Sequence, residues 1–260
     1  MTAIASPLDR ANPVSRLAAA IILSIPLLVT LDWVSAAVAC GLDLAAYVLL
    51  NRSDLARPLT ILAKRLLPLL IAGILAGVTM VLYGKPGGTT YWQWGFILIS
   101  QQSIAYGVAI VLRVLALGLA TVTTLAGVDP TDLADGLAQV VHLPARFVLG
   151  ALAGIRLIGA LGRDWRSMEL ARRARGLGDT GAVRRFATLA FALLVTAIRR
   201  GSSLATAMEA RGFGAGRRTW ARRSTVGWPD AVCLIVAATM IGLALLSAVG
   251  MGSFHWIGAV

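Results

Sequence analysis

Apolar residues run along this chain in blocks too long for the strands or amphipathic helices of a soluble domain. Residues 17–31 and 33–50 are two such runs separated only by Asp32, and they predict a tight helical hairpin. The first arm is short for a membrane crossing and draws on residues 13–16 for its start, and Pro26 predicts a kink within it. Residues 66–83 form a third run. A Gly-, Pro- and Thr-containing turn over residues 84–93 follows, with Tyr91, Trp92 and Trp94 as an outer aromatic belt. The apolar stretch 94–128 is too long for one straight crossing. Residues 95–106 therefore read as a surface or re-entrant piece, and 107–128 as the fourth span. Residues 230–250 are the fifth.

Between the fourth and fifth spans the pattern changes. Asp129-Pro130-Thr131-Asp132 is a helix start, with Asp129 as N-cap, Pro130 at the first position and Asp132 near the positive dipole end. It leads a short helix over 131–141 that stops before Pro144. From Pro144 to Arg175 no proline interrupts. Val148, Ala151, Ile155, Ile158, Gly162 and Trp165 step by 3 and 4 and predict one long helix with a single apolar stripe. Arg156, Arg163, Arg166 and Arg173 follow beside the stripe, and Glu169 stands four residues before Arg173, the favourable helix pairing. Residues 183–211 repeat the design. Their apolar core, 186–198, is too short to cross a bilayer and is expected to bury itself against the first long helix.

Composition and charge fix the class and the orientation. The chain is 58% hydrophobic and 14% charged, with a mean hydropathy of +0.79, which implies an all-α polytopic membrane protein of about five spans plus two long cytoplasmic helices. Its net charge of +12 would suggest nucleic acid in a soluble protein, but the charge rule for membrane flanks explains it more simply. Residues 129–228 hold sixteen of the 24 basic residues and are assigned to the cytoplasm. Arg10 and Arg16 place the N-terminus there too, and the uncharged tail after residue 250 falls outside. Three regions result: a membrane bundle (1–128), a cytoplasmic domain (129–228), and a last span with its tail (229–260). The N-terminal segment is too polar for a secretory signal. Arg113 falls about two turns below the outer face, where it either snorkels or contacts a partner in the membrane. Cys40 and Cys233 lie in apolar runs and read as packing thiols. His142 and His255 have no metal-ligand partners at useful spacing, and Trp220 and Trp228 read as interfacial anchors.

The most specific signal is a repeated pentapeptide in the basic region: Ala174-Arg175-Gly176-Leu177-Gly178 and Ala210-Arg211-Gly212-Phe213-Gly214. Each closes one of the two long helices, with Arg175 and Arg211 on the last turn before a glycine able to adopt φ > 0. The two arginines lie 36 residues apart (211 − 175), with Glu169 and Glu209 upstream. An arginine fork held on a rigid helix end is suited to bidentate, charge-assisted bonds with a partner's carboxylates. The pair reads as a docking device and not as an active site.

Amphipathic helices ending in paired Ala-Arg-Gly, set between a four-span bundle and a final span, resemble the transmembrane (T) component of energy-coupling factor transporters, the EcfT/CbiQ/BioN family. The resemblance extends over essentially the whole chain. The segment 8–17, with Pro13 and Arg16, is similar to the family's pre-span segment. Thr123-Thr124 with Asp129-Pro130 is a looser match to its Thr-Thr-x-Pro element, because residues 125–128 intervene. Leu143-Pro144-Ala145-Arg146 resembles its Leu-Pro-Arg element. The resemblance implies a non-catalytic coupling subunit, in the bacterial cell membrane, of an ABC-type importer for a vitamin or transition metal. The implied partners are two ABC-type ATPase subunits, which bind ATP and Mg, and a substrate-binding membrane S component, with no cofactor in this chain. It further implies that Arg175 and Arg211 dock the ATPases, supported by Ala174, Gly176, Ala210 and Gly212, with Glu169 and Glu209 as orienting neighbours. Arg113 would be the S-component contact.

Two other classes fit less well. An enzyme would need a phosphate loop, a GxSxG or HExxH motif, or paired Ser/His or Asp/Asp groups within the spans, and the sequence shows none. A stand-alone permease binding its own solute would pair ionisable residues at mid-membrane in repeated halves. Here Asp43 and Arg113 are the only charges well inside the spans.

Overall fold

A computed structural model describes residues 10–30, 32–51, 56–84, 87–94, 97–176, 181–213 and 219–252, without the side chains of 56–59 and 92–98. It divides into two compact units. One comprises residues 1–129 and 225–260, the other residues 130–224.

The first unit is a helical bundle. Its helices are α1 (Pro13–Val29), α2 (Trp33–Leu50), α3 (Ala56–Tyr83), α4 (Gln101–Leu125) and, after the second unit, α5 (Trp228–Gly250). The α2, α4 and α5 segments, and Thr60–Tyr83 within α3, are long and apolar enough to cross a membrane. At 17 residues α1 is shorter, about 25 Å at 1.5 Å per residue. It is nevertheless central: Ala19, Leu23 and Leu27 join Ala116 and Ala120 of α4 and Ala237, Ile241 and Ala244 of α5 in the main apolar core. Small residues also set the α3–α4 crossing. A Cβ on Gly77 would fall 2.9 Å from the Gly107 carbonyl oxygen, and one on Gly107 would meet that of Gly77 equally closely. The two backbones can touch there because neither residue has a side chain.

Polar residues tie the bundle together at both ends of α1. Asn12 caps α1 by accepting from the Val14 amide, and its own amide donates to Asp230 Oδ1 at 2.6 Å. Asp230, in the first turn of α5, also accepts from the Gly227 amide at 2.7 Å. Buried Arg16 donates through Nε to the Thr124 carbonyl at 2.6 Å and through a terminal nitrogen to that of Ala126 at 2.7 Å. It thereby satisfies carbonyls that the end of α4 leaves free. At the far end of α1, Arg113 donates to the Thr30 carbonyl.

Three expectations are corrected here. The segment 95–106 is not a separate surface or re-entrant piece. A hairpin of β1 (Thr90–Trp94) and β2 (Ile97–Ser100), pairing Trp92 with Ile99 and Trp94 with Ile97, occupies its first part, and α4 begins at Gln101. Ser100 and Ser103 form a reciprocal capping box at that start, a local chemistry masked by the apolar surroundings. Arg113 consequently lies twelve residues from each end of α4, and it binds the α1–α2 turn without snorkelling to an outer face. Third, α3 starts at Ala56, ten residues ahead of the apolar run 66–83, so Arg57, Lys64 and Arg65 belong to the same helix.

Candidate functional site

The second unit, which precedes α5 along the chain, holds α6 (Pro130–Gln139), α7 (Ala145–Ala174) and α8 (Ala182–Ala210). Pro130 opens α6 with Asp132 in its first turn. His142, with a φ of 60°, turns the chain toward Pro144, which precedes α7. Ala134 of α6 packs on Val148 and Leu152 of α7. A return segment closes the unit: Gln139 donates to the Arg222 carbonyl at 2.9 Å and accepts from the Ser224 amide at 3.0 Å.

Helices α7 and α8 are nearly equal, at 30 and 29 residues, and touch locally. Arg200 bridges Asp164 at 2.6 Å, Arg172 donates to the Thr188 hydroxyl at 2.7 Å, and the Trp165 and Phe186 rings stand 5.6 Å apart. The two apolar faces do not bury one another as expected from their patterns. Ile155 and Ile158 of α7 are 52% and 69% exposed, and Phe191 and Ile198 of α8 are 69% and 64% exposed. Periodicity identifies an apolar face but not what covers it. Hydropathy adds a second complication: α7 is itself long and apolar enough to cross a membrane by length and composition, although Arg163, Asp164, Arg166, Glu169, Arg172 and Arg173 crowd its C-terminal part.

Both Ala-Arg-Gly motifs terminate these helices in the same geometry. Ala174 and Ala210 are the last helical residues, Arg175 and Arg211 are the C-caps, and Gly176 and Gly212 take φ of 69° and 72°. At α8 the Gly212 amide donates to the Glu209 carbonyl at 2.9 Å and the Phe213 amide to that of Met208 at 2.9 Å, the paired bonds of a Schellman stop. At α7 the Gly176 amide donates to the Arg173 carbonyl at 3.0 Å. A left-handed glycine is needed at each stop, since a Cβ there is strained. Arg175 and Arg211 are exposed, and among the described residues neither guanidinium is engaged in an ion pair. Gly178 and Gly214 lie outside the described residues.

Glu169 is held by Arg173 at 2.7 Å, one helical turn on, and does not reach Arg175. Glu209 is exposed, and its backbone carbonyl is what serves the helix stop. Sequence reasoning missed the capping roles of Asn12, Arg16 and Asp230. The signals were present for two of them: Asn12 directly before Pro13, and Asp230 in a first turn after Pro229.

With this arrangement established, comparison with known proteins is decisive. Residues 5–220 match the family model CbiQ, described as cobalt transport protein. The chain belongs to the CbiQ/EcfT family. It is 31% identical over 251 residues to the energy-coupling factor transporter transmembrane protein EcfT of Brevibacillus brevis, covering 90% of this chain and 91% of that one. The EcfT proteins of Limosilactobacillus fermentum and Listeria innocua are each 30% identical, over 192 and 212 residues, covering 69% and 76% of this chain and 72% and 79% of theirs. This family member is a multi-pass transmembrane component of an energy-coupling factor transporter.

Proposed function

We propose that the chain is the coupling subunit of an importer. Two cytoplasmic ATPases dock at Arg175 and Arg211, and the membrane bundle passes their motion to a substrate-binding membrane partner. The names of the relatives support the transporter assignment, and CbiQ's description points to a transition metal as one cargo class, with vitamins as the other that the family resemblance implies. The observation that carries the docking reading is the matched pair of exposed C-cap arginines, each fixed on a glycine stop and, among the described residues, in no ion pair. An acidic groove on a partner would complete both guanidiniums. The exposed apolar residues of α7 and α8, including Ile158 and Phe191, add surface to the same contact.

Charge reversal tests this. Arg175→Glu combined with Arg211→Glu should leave the protein inserted while lowering ATPase recovery in a pull-down, because opposing a desolvated carboxylate costs about 2–5 kcal/mol. Normal assembly and uptake by the double variant would remove the docking assignment. The same reading puts the N-terminus and residues 130–224 in the cytoplasm and the chain after Gly250 outside. A cysteine introduced at position 180 should therefore be shielded from membrane-impermeant reagents in intact cells, and labelling there would overturn the orientation.

A further inference from the structure

The two charges well inside the spans have opposite fates. Arg113 donates to the Thr30 carbonyl. Asp43, on α2 and seven residues before Leu50, is 1% exposed, and among the described residues neither of its carboxylate oxygens has a hydrogen-bond partner. It lines a cavity of about 500 Å³ between α1, α2, α4 and α5, a volume typical of sites for small organic molecules. Thr123 and Thr124 also line the cavity, but their hydroxyls are committed to the carbonyls of Leu119 and Ala120. No donor reaches Asp43 from this wall. A buried intramembrane carboxyl that the described residues leave without a donor is suited to a partner from outside the bundle.

The remaining lining says what that partner is. Leu23, Val236 and Met240 make the wall apolar, and Arg10 and Trp228 stand where α1 and α5 begin. Leu49 and Val236 belong both to the cavity and to the exposed apolar surface, at 56% and 47% exposure, so the opening faces the bilayer sideways. Asp43 lies about 10 Å along α2 from its end, within reach of the headgroup region. An occupant must bring an N–H donor of positive charge to Asp43, a negative group to Arg10, and hydrocarbon to the wall. We propose that this cavity binds a phospholipid with a primary ammonium headgroup from the adjoining leaflet. The ammonium donates to Asp43, the phosphate accepts from Arg10, and the upper acyl chain lies along Leu23, Val236 and Met240.

The test titrates the delipidated full-length protein with three lipids of matched chains and reads bound lipid by native mass spectrometry. Phosphatidylethanolamine supplies ammonium N–H donors, phosphatidylcholine has the charge without N–H, and phosphatidylglycerol has neither cation nor ammonium. The wild type should bind the ethanolamine lipid about tenfold more tightly than either of the others, a difference suited to one charge-assisted hydrogen bond. Asp43→Asn should bring all three to the same level. Equal affinities in the wild type, or an ethanolamine preference that survives Asp43→Asn, would overturn the proposal. Should Asp43→Asn fail to fold, Val236→Trp fills the cavity from its exposed rim and should abolish the preference; a preference that persists there sinks the site.

Discussion

In the bundle, a buried arginine finishes a helix end: Arg16 satisfies the Thr124 and Ala126 carbonyls. In the domain formed by residues 130–224, the arginines at helix ends stand exposed, and glycine alone finishes the turn. The same contrast holds for apolar groups. The bundle sets Leu23, Leu27, Ala116 and Ala244 in a shared core, whereas Leu189 is the one buried apolar side chain on α8 among the described residues. The bundle closes its helix ends and a small-residue core within itself, Asp43 apart. The helical domain leaves both unfinished, which is the condition expected of a surface completed by partners.

Paired substitutions sharpen this contrast. Arg16→Ala should have the largest effect, destabilising the protein in detergent by about 3 kcal/mol, since the buried Thr124 carbonyl and the half-buried Ala126 carbonyl lose a charge-assisted donor. Arg200→Ala removes the Asp164 bridge from a half-exposed position and should cost under about 1 kcal/mol. Thermal unfolding of both variants measures the difference, and a cost for Arg200→Ala equal to that for Arg16→Ala would erase the distinction between the units. Glycine gives the second pair. Gly107→Ala forces a Cβ to within 2.9 Å of the Gly77 carbonyl oxygen and should cost about 1–3 kcal/mol. Gly159→Ala in α7 meets nothing within 4 Å and should be neutral or stabilising by up to about 1 kcal/mol. A destabilising Gly159→Ala would show that α7 is packed more closely than its surface implies.

Much of this was readable in the residues, for identifiable reasons. The α2 span and the ends of α7 and α8 follow from apolar runs bounded by Asp32 and by Arg-Gly stops, all of them local signals. What escaped depends on partners distant in sequence. Arg16 has the same local signature as any flanking arginine, and only the approach of α4, 108 residues away, makes it a buried cap. Arg113 looked like a residue near an outer face because the Ser100–Ser103 cap that starts α4 early sits inside an apolar stretch. The docking motif was legible as a pair of helix ends, and the four-residue spacing of Glu169 and Arg173 gave the ion pair that the structure holds at 2.7 Å.

The bond between Asn12 and Asp230 joins the first helix to the last across 218 residues. At ribosomal rates of 5–20 residues per second, Asp230 is polymerised roughly 11 to 44 s after Asn12. Throughout that interval α1 waits in the bilayer with its α5-facing side uncovered, while all of residues 130–224 is made. Closure of the bundle therefore cannot precede synthesis of α5. A chain truncated before Trp228 would leave the Asn12 amide without Asp230 and α1 without its last neighbour, giving the cell's quality control a single late event that separates finished from unfinished molecules.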